Sequence, residues 1–179
     1  YVSRGGFKLE KAMEVFDVVI TDKIMLDIGS STGGFTDAAL QHGAKLSYAL
    51  DVGTNQLAWK LRQDPRVVVM EQTNFRYCKP EDFSKGRPNL SSIDVSFISL
   101  RVILPVLKNI IASDGDILAL IKPQFEAHRD DVGEKGSVSD KSVHEQVLTD
   151  MLSFATSIGY DVLNLTFSPI TGGEGNIEF

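Results

Sequence analysis

Lys122 and Asp94 are the residues of this chain whose surroundings best suit them to acid–base chemistry. Lys122 follows the apolar residues 118–121, and Pro123 keeps it extended, so its side chain is expected to project from the end of a strand. Partial burial there favours the neutral amine, which can act as a general base. Asp94 ends the adjacent predicted strand and is expected to orient Lys122 or to face a positively charged cofactor. The simpler interpretations are a lysine that reaches water from a strand end and a carboxylate that only balances charge.

A glycine-rich turn between an apolar strand and a helix predicts a nucleoside-bearing cofactor. Residues 26–36 read Leu-Asp-Ile-Gly-Ser-Ser-Thr-Gly-Gly-Phe-Thr, and a second apolar run ends at Asp51. The glycines let the backbone approach a ligand, the helix start supplies N–H groups, and the carboxylate can accept hydrogen bonds from a ribose diol. The predicted cofactor site consists of Asp27, Gly29, Ser30, Ser31, Gly33, Gly34, Phe35, Asp51, Val52, Asn74 and Asp94.

The spacing of the glycines distinguishes two classes of cofactor. A dinucleotide-binding turn follows the pattern Gly-x-Gly-x-x-Gly, which makes room for a pyrophosphate. Here three residues separate Gly29 from Gly33, and Asp27 would repel a pyrophosphate but suit the ammonium group of an amino acid. The turn therefore favours S-adenosylmethionine over a nicotinamide dinucleotide. For the turn taken alone, an ordinary strand–turn–helix connection is the alternative.

Alternating apolar strands and helices predict an α/β fold: a doubly wound, mostly parallel Rossmann-like sheet of seven strands with helices on both faces. The predicted strands are residues 24–28, 46–51, 67–70, a segment within 91–97, 116–121, 162–167, and a last strand that starts at 176 and is cut short. The predicted helices are residues 8–16, 35–41 ended by Gly43, 56–62, 100–111 and 142–158. Ligands of such sheets bind at the carboxyl ends of the strands. Polar residues stand at five of these ends, namely Asp27, Asp51, Asn74, Asp94 and Lys122.

Three local signals concern the second half of the chain. Residues 127–140 are polar and contain two glycines, which predicts a functional lid, with a disordered loop as the alternative. Ser142 and Glu145 have the spacing of a capping box at the start of the last helix. Pro105 is expected to kink the helix at 100–111 or to mark its real start.

Composition and charge limit the function classes. The chain has 179 residues, 42% of them hydrophobic, which predicts one soluble domain with its own core. A net charge of −6 is unlike that of a protein that holds nucleic acid by bulk electrostatics, although Arg4, Lys8 and Lys11 make the N-terminal segment locally basic. No apolar run could span a membrane, no signal peptide is visible, and a single cysteine suits the cytoplasm. Tyr1 in place of an initiator methionine indicates a fragment.

The cysteine and the histidines form no recognisable site in the sequence. His42, His128 and His144 lack metal-ligand spacing and are expected at the surface or in loops, so no metal is predicted. Cys78 has no histidine partner, which argues against cysteine-dependent methylation at base C5. Lys122 and the residues after it stand where an Asp/Asn-Pro-Pro-Tyr strand end would lie, which argues against methylation of a base amino group.

Five separated motifs resemble one family. They are Val-Ser-Arg-Gly-Gly-Phe-Lys-Leu at 2–9, Asp-Ile-Gly-Ser-Ser-Thr-Gly-Gly-Phe at 27–35, Asp-Val-Ser-Phe-Ile-Ser at 94–99, Lys-Pro-Gln-Phe-Glu at 122–126 and Gly-Asn-Ile-Glu at 175–178. Together they resemble the TlyA-type proteins, many of them labelled hemolysins, within the FtsJ-like ribosomal RNA 2′-O-methyltransferases. The resemblance implies S-adenosylmethionine as cofactor and ribosomal RNA or ribosomal subunits as partner. It also implies an N-terminal S4-like RNA-binding module in the full protein, which this chain lacks.

The resemblance further implies a catalytic tetrad. Carried over by motif, its members are Lys8, Asp94, Lys122 and Glu178. Lys122 would take the proton of a ribose 2′-hydroxyl as the oxygen attacks the methyl group, while Lys8 would position the hydroxyl or a neighbouring phosphate. Asp94 and Glu178 would orient the two lysines. Three alternatives stay open: a membrane-active hemolysin, a nicotinamide-dependent oxidoreductase, and a cofactor-binding module without activity.

Overall fold

The computed structural model of the chain describes residues 1–133 and 135–179, with the backbone alone at residue 174. The chain divides into two compact units. The first unit contains Tyr1–Val95 and Val106–Ala119, and the second contains Ser96–Pro105 and Leu120–Phe179.

A five-stranded parallel sheet is the framework of the first unit. Its strands are β1 (Ile24–Ile28), β2 (Leu46–Leu50), β3 (Val67–Met70), β4 (Leu90–Ile93) and β5 (Asp116–Ala119). They pair in the order β3–β2–β1–β4–β5, and every pair is parallel. Met25, Leu26 and Ile28 of the central strand are at most 1% exposed, as expected of a strand buried on both faces. The α/β class, the parallel sheet and these five strands confirm the sequence prediction.

The prediction of a sixth and a seventh strand is wrong. Residues 162–167 form no strand, and Leu163 is 84% and Phe167 60% exposed. Residues 176–179 form no regular strand either, although Phe179 exchanges two backbone hydrogen bonds with Ile121, at 2.6 and 2.9 Å. An apolar pattern decides which face of a strand is buried, but a strand forms only where a neighbouring backbone pairs with it through hydrogen bonds.

Six helices accompany the strands in the described part of the chain. They are α1 (Gly5–Phe16), α2 (Gly34–Gln41), α3 (Trp59–Arg62), α4 (Leu100–Ile110), α5 (Pro123–Glu126) and α6 (Lys141–Ser157). Short 3-10 turns lie at Phe75–Tyr77, Pro80–Asp82, Arg129–Asp131 and Gly173–Gly175. Gly43 follows α2 with a φ of +94°, as predicted for a glycine that ends a helix. Pro105 lies inside α4 and does not mark its start.

The helix α1 begins at Gly5, three residues before its predicted start, and the starts of α3 and α6 differ because local hydrogen bonds compete with the helix. The α3 helix begins at Trp59, since Ala58 is extended and donates its backbone N–H to Thr32 at 3.0 Å. The α6 helix is capped by Asp140, whose carboxylate accepts hydrogen bonds from the Ser142 N–H and hydroxyl, both at 2.8 Å. The predicted capping box at Ser142 is therefore wrong, because the Ser142 hydroxyl serves the preceding carboxylate.

The structure describes only part of the predicted connection at residues 127–140. Residue 134 lies outside the described residues. On its N-terminal side the chain makes the turn Arg129–Asp131, and the Gly133 N–H donates to the Ser137 carbonyl at 2.8 Å. The interpretation of this segment as a lid stays a prediction.

Candidate active site

The turn after β1 in the first unit is shaped by glycines that no other residue could replace without movement. Gly29 has a φ of +84°, and a β-carbon there would collide with the carbonyl of Asp94. The Asp94 N–H in turn donates to the Ile28 carbonyl at 2.9 Å. Gly33 has a φ of +102°, and a β-carbon would press against Leu61. The structure thus brings two predicted site residues, Gly29 and Asp94, into direct backbone contact.

Asp51 holds this turn by its carboxylate. One carboxylate oxygen accepts a hydrogen bond from the Ser31 N–H at 2.8 Å, and the other accepts from the Gly53 N–H at 2.9 Å. Each oxygen can accept further hydrogen bonds, so the group can still bind a pair of ligand hydroxyls. Ser31 adopts a left-handed φ of +50°, which directs its N–H at the carboxylate. The geometry fits the prediction that Asp51 recognises a ribose.

Asp27 occupies a different environment from the one its position in the sequence suggested. Its side chain is 1% exposed, and it accepts hydrogen bonds from the Thr36 hydroxyl at 2.8 Å, the Thr36 N–H at 3.2 Å and the Ser92 hydroxyl at 3.4 Å. Burial raises the pKa of Asp27 to about 7, while the Thr36 hydrogen bonds oppose that shift and the charge of Asp94 adds to it. The carboxyl group therefore supports the first turn of α2 from inside.

The other predicted cofactor residues divide by exposure. Ser30 and Phe35 are each 7% exposed and form part of the interior of the turn. Val52 is 70% exposed and follows Asp51 at the surface. Asn74 is exposed, and its side-chain oxygen accepts a hydrogen bond from the Arg76 N–H at 3.0 Å, which caps the short turn Phe75–Tyr77.

The N-terminal motif is docked on the start of α2. A β-carbon on Gly34 would collide with the Ser3 hydroxyl and would lie 2.9 Å from the Gly6 nitrogen. The Val2 N–H donates to the Asp37 carboxylate at 2.8 Å. These contacts place α1, which carries Lys8, against α2 within the first unit. Lys8 itself is half-buried.

Lys122 and Glu178 are both buried in the second unit. Lys122 is 9% exposed, has the extended backbone that Pro123 imposes, and its Nζ donates to the Ser96 hydroxyl at 3.3 Å. Glu178 is 2% exposed and accepts a hydrogen bond from Gln124 Nε2 at 3.1 Å. Ser96 and Gln124 lie within the motifs at 94–99 and 122–126, but the sequence indicates no role for them, because only the folded chain shows what they contact.

The backbone explains how two residues so distant in sequence come together. Ile121 and Phe179 exchange both of their backbone hydrogen bonds with each other, which is the pattern of a hydrogen-bonded antiparallel pair. The next residues in this register, Lys122 and Glu178, face one another across the pair. A β-carbon on Gly172 would collide with the Glu178 carboxylate, so the glycine makes room for that side chain.

Gln124 completes the surroundings of Glu178. With Nε2 donating to the carboxylate, its Oε1 is buried and has no hydrogen-bond partner among the described residues, which makes it an orphaned acceptor there. Lys8 and Asp94, the other two residues of the implied tetrad, belong to the first unit, whereas Lys122 and Glu178 belong to the second.

The histidines and the cysteine are not site residues by their surroundings. His144, predicted at the surface, is 8% exposed and its Nε2 lies 2.8 Å from the Val138 carbonyl, so that expectation is wrong. Burial raises the pKa of Cys78 to about 11, which keeps the thiol protonated. Within residues 1–133 and 135–179, no group of three or more His, Cys, Asp or Glu residues could hold a metal ion. None of the helices in the described part of the chain is both long and apolar enough to cross a bilayer.

Known proteins are similar to this chain in sequence and fold over its whole length. The model of the FtsJ-like methyltransferase family matches residues 1–179. A Bacillus subtilis protein with the provisional name rRNA methyltransferase YqxC is 66% identical over 179 residues, which cover 100% of this chain and 64% of that protein. The 16S/23S rRNA (cytidine-2′-O)-methyltransferase TlyA of Mycobacterium tuberculosis is 43% identical over 100% of this chain and 66% of its own length.

A solved structure gives the same result. A protein from Streptococcus thermophilus, provisionally titled a hemolysin, matches with a TM-score of 0.97 and 60% identity over 99% of this chain and 64% of that one. The chain therefore spans 64–66% of the length of these relatives.

Proposed function

The chain belongs to the FtsJ-like methyltransferase family, and from this premise we propose that it transfers a methyl group from S-adenosylmethionine to a ribose 2′-hydroxyl of ribosomal RNA. The observation that carries the proposal is the buried Lys122 beside Glu178, on a chain whose relative TlyA is named for 2′-O-methylation of rRNA cytidine. A buried lysine amine held by a hydroxyl can exchange a proton with a ribose hydroxyl bound beside it.

The turn of the first unit fits the cofactor. Gly29 and Gly33, with φ of +84° and +102°, set the path of the turn around Ser31, and Asp51 has acceptor capacity left for the ribose diol. We assign Val52 and Asn74 to the rim of the same site, and Asp27 to the support of the turn from beneath. S-adenosylmethionine, when bound, supplies an electrophilic methyl group.

The residues of the tetrad have separate tasks in this proposal. Lys122 accepts the proton of the 2′-hydroxyl, which makes the oxygen a better nucleophile, and Glu178 fixes the direction of the lysine amine. On the family resemblance we also assign Asp94 and Lys8 to this reaction, Lys8 by holding the hydroxyl or a neighbouring phosphate. Such a base contributes about 10²–10⁴-fold to the rate, and alignment of the reacting groups can contribute more.

The RNA partner is proposed to be held mainly outside this chain. A net charge of −6 gives little general attraction for RNA. We assign that affinity to an S4-like module that precedes this chain in the full-length protein, with ribosomal subunits as the substrate. The reaction then takes place in the cytoplasm, where ribosomes are.

The proposal is tested with full-length protein, radiolabelled S-adenosylmethionine and unmodified ribosomal subunits, followed by digestion of the RNA to nucleosides. We expect label in a 2′-O-methyl nucleoside and a loss of about 10²–10⁴-fold in Lys122→Ala. Lys141→Ala, an exposed lysine of the same unit, is the matched control and should retain full activity.

Other results would redirect the assignment. Label on a base instead of a ribose would refute 2′-O-methylation. Cofactor binding without transfer to either subunit would identify an inactive cofactor-binding module. Full activity in Lys122→Ala would remove Lys122 from the mechanism.

A further inference from the structure

Glu126 joins two segments of the second unit that carry separate sequence motifs. Its Oε2 accepts a hydrogen bond from the Ser99 hydroxyl at 2.6 Å, and its Oε1 accepts from the Leu100 N–H at 2.8 Å. The carboxylate thereby caps the first turn of α4 from outside that helix. Because Glu126 ends α5, the helix that Lys122 precedes, one short segment supplies both the amine and this cap.

A ring contact reinforces the same junction. Phe97 and Phe125 lie with their ring centroids 4.9 Å apart at an angle of 52°. Phe97 has a φ of +63°, which is unfavourable for a bulky side chain and persists only where surrounding contacts impose it. Although Phe97 is 91% exposed, its ring contact with Phe125 and the hydrogen bond from Ser99 to Glu126 join residues 96–99 to residues 122–126.

The contacts between residues 96–99 and residues 122–126 affect the position of the Lys122 amine. Its Nζ donates to the hydroxyl of Ser96, which immediately precedes Phe97. The position of that hydroxyl, and so the direction of the amine, depends on where residues 96–99 are fixed. Burial raises the pKa of Glu126, and the hydrogen bonds from Ser99 and Leu100 oppose that shift by stabilising the carboxylate.

We propose that Glu126 is a positioning residue for methyl transfer: by binding Ser99 and Leu100 it docks residues 96–99 on residues 122–126 and thereby orients Lys122 through Ser96. The inference rests on the proposed function. It adds a residue that touches neither substrate nor cofactor and acts through the geometry of the base.

The test compares kcat, the KM for RNA and the Kd for S-adenosylmethionine in variants of the full-length protein. Glu126→Ala removes both hydrogen bonds and should lower kcat by about 10–100-fold, since small misplacements of a reacting group are costly. Glu126→Gln can keep both contacts and should retain kcat within about threefold. Ser99→Ala, which removes one contact, should lie between the two. The KM for RNA and the Kd for S-adenosylmethionine should stay near the wild-type values in all of these variants.

Asp140→Ala is the matched control. Asp140 also caps a helix of the second unit through a serine and a backbone N–H, but it contacts neither residues 96–99 nor α5 in the contacts described above. It should lower the melting temperature as Glu126→Ala does and leave kcat within about twofold.

Three outcomes would overturn the inference. The first is an equal loss of kcat in Glu126→Ala and Asp140→Ala, which would reflect general destabilisation. The second is a rise in KM with unchanged kcat. The third is a Gln variant as inactive as the Ala variant, which would make the charge and not the position essential. If the wild type itself transfers no methyl group, the proposed function fails instead, so the two failures are distinguishable.

Discussion

Asp51 in the first unit and Glu178 in the second are carboxylates held by different kinds of partner. Asp51 accepts hydrogen bonds from the backbone N–H groups of Ser31 and Gly53, whereas Glu178 accepts one from the side chain of Gln124. The position of a carboxylate held by backbone N–H groups depends on the path of the chain and changes little when neighbouring side chains are substituted. A carboxylate held by a side chain can be altered by a single exchange. We therefore expect substitutions around Asp51 to act on folding and cofactor affinity, and those around Glu178 to act on rate.

The largest effect on stability is expected at Gly29. Alanine there meets the Asp94 carbonyl and must adopt a left-handed φ, which together should cost about 2–5 kcal/mol of unfolding free energy. Gly136 of the second unit is the matched control, since it also has a positive φ, +73°, but no atom of the described residues lies within 4 Å of its β-carbon position. Gly136→Ala should cost only about 1–2 kcal/mol. Urea denaturation measures both, and equal losses would refute the close approach at Gly29.

Asp27 predicts a pH dependence that arises in the first unit. Burial raises the pKa of its carboxyl from 3.8 to about 7. Between these values the folded chain keeps a proton that the unfolded chain has released, so stability falls as the pH rises and levels off above about pH 7. The change is on the order of 4 kcal/mol. Asp27→Asn, which stays neutral, should lack it in urea titrations across this range, and parallel pH profiles for the two proteins would contradict the shift.

Asp51 is expected to separate affinity from rate. Asp51→Ala removes the proposed ribose contact and both hydrogen bonds to the turn, which should raise the Kd for S-adenosylmethionine by about 10–100-fold, since hydrogen bonds to charged groups contribute about 1.5–3 kcal/mol. The rate at saturating cofactor should stay near that of the wild type. Asp64→Ala, whose carboxylate binds Arg66, is the control. Calorimetric titration gives the Kd, and a lower saturated rate with unchanged Kd would reverse the roles of the two units.

Cys78 should show the smallest effect. Because burial raises the pKa of its thiol to about 11, the group is protonated at neutral pH and is a poor nucleophile. Cys78→Ser should therefore retain methyl transfer within about twofold, as measured by the same nucleoside assay. A loss comparable to that of Lys122→Ala would place a covalent step in the mechanism.

The part of the fold predictable from sequence is the part that local pattern controls. Each of the five strands is a short apolar run that parallel neighbours bury, so composition located β1 to β5 to within a few residues. The two unconfirmed strands had similar sequences but depended on a partner backbone. The start of α6 shifted because Asp140 competed with Ser142 for the same cap.

The candidate site shows the same division. Glycine positions in the turn followed from conformational freedom and were visible in the sequence. The burial of Asp27 was not, since a carboxylate after apolar residues can face a ligand or the interior. Ser96, Gln124 and Glu126 received no role because their contacts join segments far apart in the chain, and no spacing encodes those contacts.

The paired backbone of Ile121 and Phe179 has a consequence for dynamics. Lys122 and Glu178 face each other only while those two hydrogen bonds are closed. Such a pair can open locally with a free energy below that of global unfolding. The opening equilibrium of this pair then sets the fraction of molecules in which Lys122 and Glu178 lie opposite each other at any instant. Hydrogen exchange at the Ile121 and Phe179 amides would report that fraction directly.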